Sequence, residues 1–239
     1  MPEVVTPDLS VVIPFYNEQE NIAPLLAEVR TALDTLVVRA EVIAINDGSS
    51  DGTGAALRAA AERWPAVRVV DFPRNRGQAA ALWEGFHEAR GTWIAMLDGD
   101  GQNPPAELAK LWAVRNSADL ISGARAQRKD SLLRRTMSRV ANAVRRAALH
   151  DGVSDTGCSL KIFRRAVARS FLPIRTMYSF LPAFAVAGGW TVREVPVAHR
   201  PRTAGVSKYG LRVMALHPLL DLISLAWVLR RTVRQKTEM

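Results

Sequence analysis

Two carboxylates stand one residue apart in Asp98-Gly99-Asp100-Gly101-Gln102, directly after the apolar run Trp93-Ile94-Ala95-Met96-Leu97. That run predicts a buried strand ending in the acidic pair, and alternation of side chains points Asp98 and Asp100 to one face, where they can converge on one point. Two anions held that close repel unless a cation lies between them. Oxygen donors suit a hard divalent ion, and Mg²⁺ takes one or two carboxylates and completes its shell with substrate phosphates. The pair therefore reads as a candidate Mg²⁺ or Mn²⁺ site. The alternative is an Asp-Gly turn that merely closes a buried strand.

The elements that must position this pair follow from periodicity. Apolar runs at 9–14, 41–45, 67–72 and 92–97 predict four strands. Helical spacing at 18–38 (Ile22, Leu25, Leu26, Val29, Leu33), 53–64 and 78–90 predicts the helices between them. Regular alternation of this kind gives parallel strands with right-handed crossovers and helices on both faces. In such sheets the ligand site lies outside the carboxyl ends of the strands. Phe15-Tyr16-Asn17-Glu18, Asn46-Asp47-Gly48-Ser49 and Asp98-Gly99-Asp100 all fall at such ends, so three polar clusters should converge on one crevice. Asn75-Arg76-Gly77-Gln78 reads as a turn opening a helix, with no assigned role. Further helices are expected over 104–114, 131–149 (long and basic) and 211–230, strands over 118–122, 157–163 and 192–197, and a loop over 201–210. No internal repeat or linker is visible. The simplest partition is one domain over 1–210, followed by a C-terminal helix and basic tail over 211–239.

Composition narrows the class. A hydrophobic share of 48% over 239 residues supports one substantial core and excludes a disordered chain. The single Cys158 excludes an intramolecular disulfide and any multi-cysteine metal cluster, and it reads as a small packed residue. His87, His150 and His199 read as surface or packing residues. Residues 1–10 show neither a basic nor an apolar signal region. Charge is split along the chain. Residues 1–120 carry 10 Lys+Arg against 17 Asp+Glu (net −7), and residues 121–239 carry 22 against 6 (net +16). A basic half of this size points to a polyanionic partner, nucleic acid or an anionic membrane.

The last predicted helix has the length of a membrane span. Arg212, His217, Pro218 and Asp221 interrupt it, however, and its uncharged stretches fall well short of the roughly 18 residues a span needs. His217, Asp221 and Ser224 form one polar stripe on an otherwise apolar helix, and Arg230, Arg231, Arg234 and Lys236 follow. This pattern suits an interfacial helix at an anionic leaflet, or a helix packed on the core or on a twin subunit in a homo-oligomer.

The ordered set of motifs resembles the family 2 inverting glycosyltransferases of GT-A fold, and within them the polyprenyl-phosphate sugar synthases of the dolichol-phosphate mannose synthase type. The matching pieces are Val12-Ile13-Pro14-Phe15-Tyr16-Asn17-Glu18, Asn46-Asp47-Gly48-Ser49-Ser50-Asp51-Gly52-Thr53, the Asp98-Gly99-Asp100-Gly101-Gln102 segment (a DXD motif), Ser122-Gly123-Ala124-Arg125, Asp155-Thr156-Gly157-Cys158-Ser159-Leu160-Lys161 and Arg202-Thr203-Ala204-Gly205-Val206-Ser207-Lys208-Tyr209-Gly210. They run in order over most of the chain. The resemblance implies an α/β fold with a mostly parallel, Rossmann-like sheet flanked by helices. It implies a nucleotide pocket lined by Pro14, Tyr16, Glu18, Asp47 and Asp98, with Asp47 on the base. Asp98, Asp100 and Gln102 would hold Mg²⁺ or Mn²⁺ on the diphosphate. Arg125, Arg134, Ser138, Arg202 and Lys208 would hold the acceptor phosphate, and Asp98, Asp100 and Arg125 would form the reacting centre. The implied partners are a UDP- or GDP-linked sugar, a polyprenyl phosphate and an anionic membrane surface, without nucleic acid, at the cytoplasmic face of the cell membrane. Two departures stand out. Asn46 replaces the family's usual first Asp, and Tyr178-Ser179 precede Phe180-Leu181-Pro182 where similar sequences often carry a basic pair. The paired C-terminal spans of many relatives are not seen here.

Elementary chemistry points the same way. Charge builds on the leaving nucleoside diphosphate, and a bound metal stabilises it as a Lewis acid. A sugar hydroxyl acceptor needs a general base, whereas a phosphate oxygen is already anionic and needs cations to bring two anions together. The second half of the chain is rich in Arg and Lys and poor in carboxylates. Two other readings remain at this level. One is a transferase acting on a glycan hydroxyl in cell-surface polysaccharide synthesis, with Asp155 as base. The other is a non-enzymatic basic binding protein on a nucleotide-binding fold.

Overall fold

In the computed structural model, residues 6–126, 145–146, 149–201 and 221–228 are described. The first half is a run of alternating elements: β1 (Leu9–Phe15), α1 (Gln19–Leu36), β2 (Ala40–Asn46), α2 (Thr53–Arg63), β3 (Val67–Asp71), α3 (Gln78–Glu88) and β4 (Trp93–Met96). The second half adds α4 (Leu108–Ala113), β5 (Leu120–Arg125), β6 (Lys161–Arg164), α5 (Leu181–Ala187) and β7 (Val192–Val197). The seven strands form one sheet in the order β3-β2-β1-β4-β6-β5-β7. Only β6 is antiparallel to its neighbours.

Side-chain alternation along the strands builds two cores. On β1, Leu9, Val11, Ile13 and Phe15 join Ala44, Ala95 and Ile162 beneath α1, α2 and α4 (Ile22, Val29, Leu57, Leu111). Val12, Ile43, Ile94 and Phe163 face the other way, onto α3 and α5 (Leu82, Phe86, Leu181, Phe184). Each buried Val, Leu, Ile or Phe among them contributes on the order of 1.5–3 kcal/mol relative to exposure. Strands buried on both faces read as near-continuous apolar runs, as β4 does throughout and β1 does apart from Ser10. Gly85 lets α3 close on the sheet, since a Cβ there would lie 2.3 Å from a Val12 methyl.

Several expectations need correction. Strand β4 ends at Met96, so Asp98 and Asp100 sit on a turn beyond it and not on extended strand. The helix expected over 104–114 divides into a 3-10 turn (Pro105–Glu107) and α4, a tightening of the first turn that is frequent at helix N-termini. The strand expected over 157–163 begins only at Lys161. Helix α5, begun by Leu181-Pro182, was not expected. Of the basic helix expected over 131–149, only 145–146 and 149 are described, and they are helical. Of the last helix, 221–228 are described and helical.

Candidate active site

The turns that leave the carboxyl edge of the sheet are stitched to one another. After β1, the Asn17 amide donates to Ser49 Oγ (3.0 Å) and the Glu18 amide to Thr53 Oγ1 (2.9 Å), while Asn17 Oδ1 accepts from the Ser50 amide (2.8 Å). Asn17 takes a left-handed φ of 52°, which asparagine tolerates better than most side chains. After β2, Asn46 bonds its own turn and Asp71 on β3. Gly48 has φ +63°, and a Cβ there would sit 2.1 Å from the Arg74 carbonyl carbon, so the two turns touch backbone to backbone.

Asp47 is only 3% exposed. Its carboxylate accepts from the amides of Arg76 (2.7 Å) and Gly77 (2.9 Å) and from Asn75 Nδ2 (2.9 Å). Burial pushes its carboxyl above the ordinary range, against the opposing pull of the two amides and the Arg76 charge. Asp47 therefore anchors the 75–77 turn, which packs Arg76 over the Phe72 ring. Residue 78, the first of α3, continues the chain of contacts, with Gln78 Nε2 donating to Asp98 Oδ1 (2.7 Å).

The acidic turn lies flush on the end of β1. A Cβ on Gly99 would come within 2.7 Å of both the Pro14 carbonyl oxygen and the Phe15 ring. Asp100 is buried, and its Oδ1 accepts from the Gln102 amide (3.0 Å). One oxygen of each carboxylate thus accepts from an N–H donor, which helps to orient the group. Among the described residues, no group of three or more His, Cys, Asp or Glu gathers as a metal cluster. The donor set is two carboxylates on one buried turn. It fits a hard divalent cation that takes further oxygens from its substrate.

Arg125, the last residue of β5, stands on the same edge. In the strand order β4-β6-β5, Lys161 sets Met96 level with Ser122, so Arg125 lies two strand spacings across from the end of β4 and three residues further in the direction of the acidic turn. It forms a two-pronged pair with Asp155, Nε to Oδ2 at 2.7 Å and Nη2 to Oδ1 at 2.8 Å. Its own amide also donates to Asp155 (3.1 Å). The guanidinium lies over Gly157, where a Cβ would be 2.6 Å from Nη2. Glu194 on β7 in turn holds the backbone amides of Ser154 and Asp155.

Because β6 runs antiparallel, its beginning faces the site, and with it Lys161. This side chain is fully buried, and its ammonium donates to the carbonyls of Cys158 and Thr156 (the latter 3.4 Å). Burial pulls its pKa down, while Asp155 and Asp98 act in the opposite sense. Cys158 is buried too, and burial pushes its thiol pKa up.

The structure thus brings Pro14, Tyr16, Glu18, Asp47, Asp98, Asp100, Gln102 and Arg125 to one sheet edge. Arg134, Ser138, Arg202 and Lys208 lie outside the described residues. Asn75, Gln78, Asp155 and Lys161 were given no part in this site by sequence reasoning, beyond Asp155 as an alternative base. A lysine set between Leu160 and Ile162 was the available signal for Lys161.

This sheet, with its acidic turn at the carboxyl edge, defines a GT-A fold. Solved structures share it. A mannosyltransferase from Pyrobaculum calidifontis, in complex with GDP-Man and Mn²⁺, superposes with a TM-score of 0.67 at 20% identity, covering 97% of this chain and 67% of that one. A glucosyl-3-phosphoglycerate synthase from Mycobacterium tuberculosis, in complex with Mn²⁺, UDP and phosphoglyceric acid, gives 0.70 at 19% identity over 96% of this chain and 80% of its own. The chain belongs to glycosyl transferase family 2, whose family model matches residues 10–172. Among curated relatives, an undecaprenyl-phosphate 4-deoxy-4-formamido-L-arabinose transferase from Edwardsiella ictaluri is 36% identical over 90% of this chain and 67% of its own length. A dodecaprenyl-phosphate galacturonate synthase from Rhizobium johnstonii is 36% identical over 95% and 69%. The chain spans about two thirds of the length of these relatives.

Proposed function

We propose that this glycosyltransferase moves a sugar, with inversion, from a UDP- or GDP-linked donor to a polyprenyl phosphate at the cytoplasmic face of a membrane, with a divalent cation. The observation that carries the reading is the placement of the acidic turn 98–102 and of Arg125 on one sheet edge, in a chain whose 36%-identical relatives are named for polyprenyl-phosphate products. Residues 1–120 form the nucleotide-sugar half, 121–210 the acceptor half, and 211–239 the membrane-associating helix and tail. The dolichol-phosphate mannose synthase type is one member of this substrate class, and the sugar is left open.

Asp98, Asp100 and Gln102 would hold Mg²⁺ or Mn²⁺, and the ion would supply Lewis-acid stabilisation of the leaving nucleoside diphosphate. Pro14, Tyr16 and Glu18 line the nucleotide pocket beside the turn anchored by Asp47. A phosphate oxygen of the acceptor attacks the anomeric carbon from the side opposite the leaving group. The bond from that carbon to the diphosphate oxygen breaks as the new one forms. Arg125, with Arg134, Ser138, Arg202 and Lys208, holds the acceptor phosphate, and no proton needs removing.

The glycan-hydroxyl reading would use Asp155 as base. Both Asp155 oxygens accept from Arg125, so the carboxylate is engaged by the guanidinium at the position where the hydroxyl reading needs a base. A pH–rate profile separates the two. Transfer to phosphate predicts kcat/KM level above the second phosphate pKa of about 6. A rising limb with its own pKa, lost in Asp155→Asn, would favour the hydroxyl acceptor.

A further inference from the structure

Beyond β7 the chain turns back across the acidic turn. The Ala198 amide donates to Glu107 Oε2 (2.9 Å). The Arg200 amide donates to the Gln102 carbonyl (3.0 Å), and Arg200 Nε donates to the Gly101 carbonyl (2.5 Å). The same guanidinium reaches α1, where Nη2 donates to both Glu28 oxygens at 3.0 Å. One residue therefore ties helix α1, the exit of β7 and two successive carbonyls of the 98–102 turn. Gly101 has φ +70°, so the turn passes through a left-handed conformation at the point where Arg200 grips it.

We propose that Arg200 is a positioning residue for the cation–diphosphate site. It holds the Asp98–Gln102 turn in its binding shape through the Gly101 and Gln102 carbonyls, and Glu28 fixes the guanidinium from behind. The proposal rests on the reading of Asp98 and Asp100 as the cation-holding pair. A purely structural role is a poor account of the geometry. The Arg200–Glu28 pair is half-exposed, with side chains 34% and 40% accessible, and pairs of that kind add little to global stability. The turn is nevertheless short, and its carboxylates act only where it places them. Lysine would not replace this arginine, because an ammonium lacks the planar fork that serves a carbonyl and a carboxylate together.

The test is Mn²⁺ titration, alone and with UDP or GDP, by electron paramagnetic resonance and calorimetry, with a melting curve for each variant. Arg200→Ala should weaken Mn²⁺–nucleotide binding about tenfold or more, as loss of an outer supporting contact commonly does. Its melting midpoint should move no further than in Arg39→Ala, which breaks an exposed pair with Asp8 far from the site. Arg200→Lys should recover only part of the affinity, and Glu28→Gln should lose less than Arg200→Ala. Hydrogen exchange of Arg200→Ala should rise at amides 101–103 and stay unchanged in β1. Asp100→Asn separates the two levels of the argument. If it loses Mn²⁺ while Arg200→Ala binds like the parent, the positioning role is wrong. If Asp100→Asn itself binds Mn²⁺ like the parent, the reading of the turn is wrong and this inference falls with it.

Discussion

Asp98 and Asp100 owe their orientation to N–H donors, Gln78 from α3 and the Gln102 amide within the turn. Such donors point a carboxylate within the turn, and orientation is what a cation site needs of its ligands. Gln78→Ala should accordingly raise the KM for the metal–donor complex about tenfold with a smaller effect on kcat, readable from steady-state kinetics at varied Mn²⁺. An unchanged KM would mean that Asp98 is held by other means. Across the site, Arg125 and Asp155 form a nearly buried pair, with side chains 14% and 10% accessible. The short glycine at 157 leaves room for that guanidinium. Cys158, next in the chain, is buried, and burial raises its thiol pKa. Because the thiolate is the reactive form, it should resist iodoacetamide at pH 8 in the native protein and react on unfolding, as followed by mass spectrometry.

The supporting elements meet at close backbone approaches, and these are the points where one added carbon is costly. Gly48→Ala would place a methyl against the Arg74 backbone at a left-handed φ. It should cost about 3 kcal/mol and lower the melting midpoint by roughly 6–12 °C. Donor binding should fall with it, because the 75–77 turn would shift. A melting curve equal to the parent's would contradict the packing described. The alternating elements of the first half and the crevice at their carboxyl ends were legible because hydrophobic periodicity is a local signal. What sequence left out depends on distant partners. Nothing near residue 97 says that β4 stops at Met96, since the apolar run continues through Leu97. Nothing near residue 161 says that its strand inserts antiparallel between β4 and β5. Gln78 and Arg200 meet the acidic turn across 20 and 99 residues of chain, separations at which composition and spacing carry no information.

At the scale of the molecule, charge is split between the halves, net −7 over residues 1–120 against +16 over 121–239, and the proposed function gives the acidic half the donor and the basic half the acceptor. Among the described residues no helix is long and apolar enough to cross a membrane. The helical stretch 221–228 packs Leu222 and Leu225 inward and ties Asp221 to Thr176, while Ile223 and Trp227 remain 61% and 60% exposed one turn apart. An apolar step followed in sequence by Arg230, Arg231, Arg234 and Lys236 suits an anionic bilayer surface. The double variant Ile223→Glu/Trp227→Glu should float several-fold less with vesicles rich in anionic lipid and keep its melting midpoint. Equal flotation would place the membrane contact elsewhere. The central claim is tested most directly by incubating the protein with UDP- and GDP-sugars, Mn²⁺ and undecaprenyl phosphate, then weighing the lipid product by mass spectrometry. The account predicts a lipid-phosphate sugar that is lost with a chelator and reduced about 10²- to 10³-fold in Asp100→Asn. Sugar appearing only on glycan, or full lipid product from Asp100→Asn, would contradict it.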